Sequence, residues 1–156
     1  MRCIRAQKAN LGVTLLELML ATFLVGVLAA IGIPSYQEAV QRTRIQLART
    51  ELMDIRTGVL ASRGPGFKLP DSLDGVPNIP RTDPWGRPYV YLNFNAPGVN
   101  RGDMRKDRNL VPINSEFDLY SKGKDGDSRP PLPAKPSQDD VVIARDGAYV
   151  GLAKDF

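Results

Sequence analysis

Residues 13–33 constrain this chain more than any other stretch. From Val13 to Ile33 there are 21 positions and a single charge, Glu17. As a helix rising about 1.5 Å per residue they reach roughly 31 Å, the thickness of a bilayer core. A short basic leader with Arg2, Arg5 and Lys8 precedes them, and Pro34 followed by mostly polar sequence comes after. Basic residues are retained on the cytoplasmic side, so the remainder is expected to face outward. One membrane-crossing segment and one modest outward domain account for the 156 residues.

The net charge of +4 resides largely in the leader, and elsewhere basic and acidic residues nearly balance. The high pI is therefore no argument for nucleic acid, and none is expected as a partner. Histidine is absent, which removes the usual general base and the commonest transition-metal ligand. The one cysteine, Cys3, lies in the leader. Once the leader is removed no thiol remains, so something other than a disulfide must hold the outward domain together. With no nucleophile motif either, an enzyme is not expected.

Glu17 needs an explanation. A charged group at the centre of a membrane helix costs about 2.5–3.5 kcal/mol, and less near an interface. Near the headgroups it reaches water. A second account needs a cut at Gly12–Val13, ahead of the apolar run, whereas an ordinary secretory signal is cut after a shorter one. That cut leaves a new α-amine at Val13, on the same helix end as Glu17. Amine and carboxylate then neutralise each other, within one chain or between neighbours, and low dielectric favours the pairing.

These residues carry a resemblance. Gly12-Val13-Thr14-Leu15-Leu16-Glu17-Leu18 resembles the prepilin processing motif of type IV pilins and type II secretion pseudopilins, with Val13 where that family usually has phenylalanine. Pro34 also sits where the family usually has a proline. The resemblance implies that a prepilin peptidase cuts after Gly12 and N-methylates Val13. It implies that Glu17 pairs with the N-terminal amine of an adjacent subunit during filament assembly.

Past Pro34 the sequence remains helical in pattern to about residue 63. Tyr36, Val40, Thr43 and Leu47, then Ala48, Leu52, Ile55 and Val59, form one stripe for burial. Proline is expected to kink this helix without ending it, since the pattern resumes at once, and Gly64-Pro65-Gly66 stops it. Residues 67–84 read as a long ordered loop. Strand signals follow at 89–92, 116–121, 141–145 and 148–152, the second with the alternation of a half-buried strand. The last two flank Asp146-Gly147, a two-residue hairpin turn. The fold class expected is α+β, a long N-terminal helix packed on a small antiparallel sheet. The divisions expected are a leader 1–12, a membrane and filament-core helix 13–33, an amphipathic continuation 34–63, and a head 64–156.

The head narrows the resemblance. Asp83-Pro84-Trp85-Gly86, with Tyr89 and Tyr91 after it, is similar to a block of the major, G-type pseudopilin of type II secretion. So is the run from Phe117 through Ser121-Lys122-Gly123-Lys124-Asp125-Gly126. The fold and function implied are those of a subunit that joins other copies in a helical periplasmic filament. Its implied partners are the inner membrane, an inner-membrane assembly platform and minor pseudopilins. Two other readings stay open: a type IV pilus pilin, and a monomeric membrane-anchored calcium-binding module.

Asp125, Asp127, Asp139 and Asp140 bracket a proline-rich loop. Calcium takes six to eight oxygens, and such a site would tie the ends of a disulfide-free loop. By spacing alone they read as solvated turn aspartates, since Arg129 stands at the third ligand position of an EF-hand and no glutamate follows at the twelfth. The resemblance implies one calcium ion on Asp125 and the carbonyl of Lys122, completed by downstream acids after a short Gly-rich stretch; this chain departs there, with the longer proline-rich run 128–136 in that place, and Asp139 and Asp140 are the expected partners, with Asp127 a lesser one. Arg101, Arg105, Lys106 and Arg108 alternate with Asp103 and Asp107 and read as a solvated basic face or a charge-paired subunit contact. Trp85 reads as the cap of a small core.

Overall fold

The structure, a computed structural model, describes residues 12–156. All of the leader but Gly12 lies outside the described residues. The chain divides into two compact units, one ending at Val40 and the other Gln41–Phe156.

Helix α1 (Leu15–Ala61) contributes to both units and runs through Pro34 without a break. Proline removes one backbone donor and is disfavoured inside a helix, yet the leucine- and alanine-rich sequence around it is strongly helix-forming. In the first unit the apolar side chains from Leu15 to Ile33 are exposed all round. A surface of that kind is stable only under lipid or under another protein. Among the described residues α1 is the one helix long and apolar enough to cross a membrane.

In the second unit α1 buries Ala48, Leu52, Ile55 and Val59 completely, the second half of the expected stripe. Ile45 and Leu60 extend it, whereas Tyr36 and Leu47 are exposed. The stripe therefore enters the core through Ile45, one helical turn ahead of Ala48. Gly58 has a packing reason. A Cβ there would lie 2.6 Å from Ile79 Cγ2, so only glycine lets the loop of residues 68–82 lie against the helix.

The head holds an antiparallel meander, in order β1 (Val90–Asn93), β2 (Phe117–Ser121), β3 (Val141–Ala144) and β4 (Tyr149–Leu152). The strands fall within a residue or two of their sequence signals. One face, with Phe117, Leu119, Val141 and Ile143, packs on the helix stripe and on Leu69, Val76 and Tyr89. The half-buried expectation for β2 fails on the other face. Asp118 is fully buried, and Val142, Ala144 and Tyr120 form a second core with Ile113, Leu132, Ala153 and Phe156. Leu132 comes from the proline-rich loop, which is thus core structure and not a solvent loop.

The final hairpin also differs from expectation. Ala144 pairs with Tyr149, so the turn spans residues 145–148 rather than two residues. Arg145 and Asp146 both adopt positive φ. Tertiary hydrogen bonds hold them there: Asp146 N donates to Asn114 Oδ1 at 3.0 Å, Asp146 Oδ1 accepts from Ser115 N at 2.8 Å, and Arg56 donates to the Asp146 carbonyl at 2.6 Å. Contacts from outside the hairpin override the local turn preference.

Candidate functional site

Two regions carry the sequence motifs. The first is the start of α1. Thr14 precedes the helix, and its Oγ1 accepts the backbone N–H of Glu17 at 3.2 Å, while its carbonyl accepts from Leu18 N at 3.1 Å. Thr14-Leu15-Leu16-Glu17 is therefore an N-cap of the Ser/Thr-x-x-Glu kind. Its job was readable from that spacing and was missed. The cap fixes where the helix begins, which puts Glu17 in the first turn, at the end where unpaired N–H groups and the macrodipole favour an anion. Gly12 and Val13 lie just outside the helix and are exposed. Gly12, Val13 and Glu17, the residues that the resemblance ties to cutting and pairing, thus lie close together at the start of α1.

The second region joins the two head motifs. Asp83 is nearly buried, and its Oδ1 accepts the N–H groups of Trp85 and Arg87 at 3.0 and 2.8 Å. Its Oδ2 accepts from Ser121 Oγ at 2.5 Å, and that hydroxyl in turn accepts from Gly123 N at 3.1 Å. One carboxylate thus shapes the Pro-Trp-Gly turn and fastens it to the end of β2. Arg87 adds a second link by donating to the carbonyls of Gly123 at 2.7 Å and Lys124 at 3.2 Å. Trp85 is half-buried against the helix core, and its Nε1 donates to Gln41 Oε1 at 3.2 Å. Tyr89 donates to Glu51 Oε2 at 2.5 Å and Tyr91 to the Pro70 carbonyl at 2.9 Å, so both tyrosines of the motif are structural pins.

The proposed calcium ligands are not gathered into one set. Asp139 Oδ2 accepts the N–H groups of Lys124 and Asp125 at 2.7 and 3.0 Å. Asp125 Oδ1 caps Asp127 N at 2.9 Å, and the Lys122 carbonyl accepts from Gly126 N at 3.2 Å. Asp127 is exposed. Asp140 is fully buried, and its Oδ2 accepts from Arg105 Nη2 at 2.5 Å and Ser128 Oγ at 2.6 Å. Among the described residues no three Asp, Glu, His or Cys side chains form a metal-holding group.

Arg105 corrects the reading of its neighbourhood as a solvated basic face. Its side chain is 2% exposed. Nη1 donates to Ser128 Oγ at 2.6 Å and to the Arg129 carbonyl at 2.7 Å, and Cζ lies 4.3 Å from the centre of the Tyr120 ring. Its backbone N–H donates to Asp118 Oδ2 at 2.5 Å. Asp118 Oδ1 accepts from Asn114 Nδ2 at 3.0 Å. Burial raises Asp118 to about 6, with the bonds from Arg105 and Asn114 pulling it back. Burial likewise raises Asp140 to about 6 against the pull of Ser128 and Arg105, so at neutral pH it meets the guanidinium as a carboxylate. Nothing local marks Arg105 out from Arg101 or Arg108. Its role comes from the chain segments folded over it.

Comparison with known proteins agrees with these motifs. The chain is 25% identical over 136 residues to a type II secretion system core protein G of Pseudomonas aeruginosa, covering 74% of this chain and 84% of that one. It is 35% identical over 111 residues to a fimbrial protein of Moraxella nonliquefaciens, covering 59% and 71%. A type IV major fimbrial protein FimA of Dichelobacter nodosus matches over 48 residues at 40% identity, 31% of each chain. No protein-family model matches the chain, and no solved structure does.

Proposed function

The chain belongs to the family of type IV fimbrial proteins and their pseudopilin relatives, and we propose that it is the major subunit of a type II secretion pseudopilus. The observation that carries this reading is the apolar run of residues 13–33 in the first unit, exposed nearly throughout, whose one charge, Glu17, is held in the first turn of the helix by a threonine cap. Lipid covers that surface while the subunit waits in the inner membrane with its head in the periplasm. Other copies cover it in the filament. The exchange of lipid for protein is driven by packing, because lipid tails are as apolar as leucine. Gly26 and Gly32 support this reading. A Cβ at either would meet nothing within 4 Å in the same chain, although glycine costs about 1 kcal/mol against alanine in a helix. Small residues on such a helix let a neighbouring backbone come close.

Prepilin peptidase cuts after Gly12 and methylates the amine of Val13. That amine neutralises Glu17 of an adjoining subunit, which sets register as the helices pack. Minor pseudopilins and an inner-membrane platform complete the assembly, and a separate cytoplasmic ATPase powers its growth. The subunit works by assembling, not by catalysis.

A clean deletion tests this. Loss of several folded exoproteins from the supernatant, with surface motility intact, is the expected result. Loss of motility with secretion intact would assign the chain to a type IV pilus, the reading that the fimbrial relatives favour. In the complemented strain Glu17→Ala is expected to insert and be processed but to give little filament. Normal filament yield from it would refute the pairing role.

A further inference from the structure

The loop after β2 is where the resemblance expects calcium, and the residues present do not fit it. Calcium takes six to eight oxygens. Here Asp139 Oδ2 is engaged by two backbone N–H groups, Asp125 caps its own turn, and Asp140 faces a guanidinium. One buried carboxylate oxygen, Asp140 Oδ1, has no partner among the described residues, and no three acidic side chains there come together to share an ion. We propose that two guanidinium groups of this chain, those of Arg87 and Arg105, staple the loop in place of a bound cation, so that the head keeps its structure without calcium.

The acceptors argue for it. Arg87 takes the carbonyls of Gly123 and Lys124, oxygens of the kind a hard cation would use. It fits closely: a Cβ on Gly126 would lie 2.5 Å from Arg87 Nε. Arg105 takes acceptors from both sides of the proline-rich stretch, Ser128 and the Arg129 carbonyl before it and Asp140 after it. One side chain therefore closes the loop as a cation shared between its ends would. Charge-assisted bonds of this sort are roughly twice as strong as neutral ones, and the Tyr120 ring covers the remaining face of the guanidinium. A divalent ion brought to Asp140 would meet a positive charge already 2.5 Å from the same carboxylate, where low dielectric strengthens repulsion.

The stretch that departs from the family pattern builds the enclosure. Leu132 fills the second core, and Lys106 holds the stretch from both sides: its N–H donates to the Pro130 carbonyl at 3.0 Å and its own carbonyl accepts from Leu132 N at 2.8 Å. Ser137 Oγ accepts from Arg129 N at 2.8 Å and donates to the Arg129 carbonyl at 2.7 Å. The longer loop thus shields the ion pair from water, which an arginine needs and a solvated calcium site does not. This inference does not depend on whether the filament serves secretion or a pilus.

The test is thermal unfolding of the full chain in detergent micelles, followed by the fluorescence of Trp85, the only tryptophan. The wild-type midpoint is expected to be the same in excess EDTA and in millimolar calcium. Arg105→Met should lower it by roughly 10–20 °C, and calcium should not restore it. Arg87→Gln, a milder change, should lower it by roughly 5–10 °C. A wild-type midpoint that falls with EDTA or rises with calcium would overturn the proposal, whether or not the variants fold. So would an Arg105→Met chain that melts like the wild type.

Discussion

Asp118 makes the head's stability depend on pH in the unusual direction. Its carboxylate is fully buried on β2, with Oδ2 on the backbone of Arg105 and Oδ1 on Asn114. Burial is the largest influence and raises it from 3.8 to about 6. The folded state therefore binds a proton more readily than the unfolded chain, and stability falls as pH rises between the two values. The shift corresponds to about 3 kcal/mol at 1.36 kcal/mol per pH unit, lost between about pH 4 and pH 6. Many proteins lose stability in mild acid because paired carboxylates become protonated; this group opposes that trend. Asp118→Asn removes the titration. The amide keeps one acceptor for two donors, so one bond is lost at every pH, at a cost of about 1–3 kcal/mol. The assay is urea unfolding at pH 4.5, 5.5, 6.5 and 7.5, conditions that bracket the value of about 6. The difference between wild type and variant should shrink from pH 4.5 to about 6 and level off above that. A difference constant across the series would refute the account, because it would mean that Asp118 titrates alike in the folded and unfolded chains.

Two further substitutions probe the head. Leu132→Ala should destabilise it by about 2–5 kcal/mol, because the side chain is 1% exposed in the second core, and urea unfolding should show a matching fall in midpoint; a loss below 0.5 kcal/mol, as expected of a surface site, would mean that the proline-rich loop is not core. Ser121→Ala leaves Asp83 Oδ2 and Gly123 N without their partner and should cost about 1–3 kcal/mol, and a double-mutant cycle with Asp83→Asn should show strong coupling; independent effects would mean that the two head motifs are not joined there.

The elements of the fold were legible because their signals are local. The helix stripe of Ala48, Leu52, Ile55 and Val59 repeats at helical spacing, and β3 is a short β-branched run bounded by polar sequence. The misjudged parts answer to something distant. Leu47 has the right spacing for the stripe but is exposed, since the direction of approach of the sheet and the loop of residues 68–82 decides which side of α1 is covered. Alternation in β2 pointed to one solvated face because Asp118 and Tyr120 are polar there. A polar strand face is solvated only if nothing is laid over it, and residues 103–114 and 128–137 are.

The head site shows the same limit more sharply. Acidic residues around a turn-rich loop suit a metal ion, and they suit an arginine equally well, because both satisfy negative oxygens with positive charge. Sequence spacing cannot separate the two, since a guanidinium can arrive from any distance along the chain. Arg105 arrives from 35 residues before Asp140, and Arg87 from 36 before Gly123. What does separate them is enclosure. An ion pair between side chains that are 2% and 0% exposed persists only if most remaining donors and acceptors are also met; Ser128, the Arg129 carbonyl and the Tyr120 ring meet several of them, and Arg105 Nε and Asp140 Oδ1 are the buried atoms of the pair left without a hydrogen bond among the described residues. Removing one partner from such a pair leaves the other as an uncompensated buried charge, so neither Arg105 nor Asp140 can drift alone. The pair is therefore expected to change together or not at all.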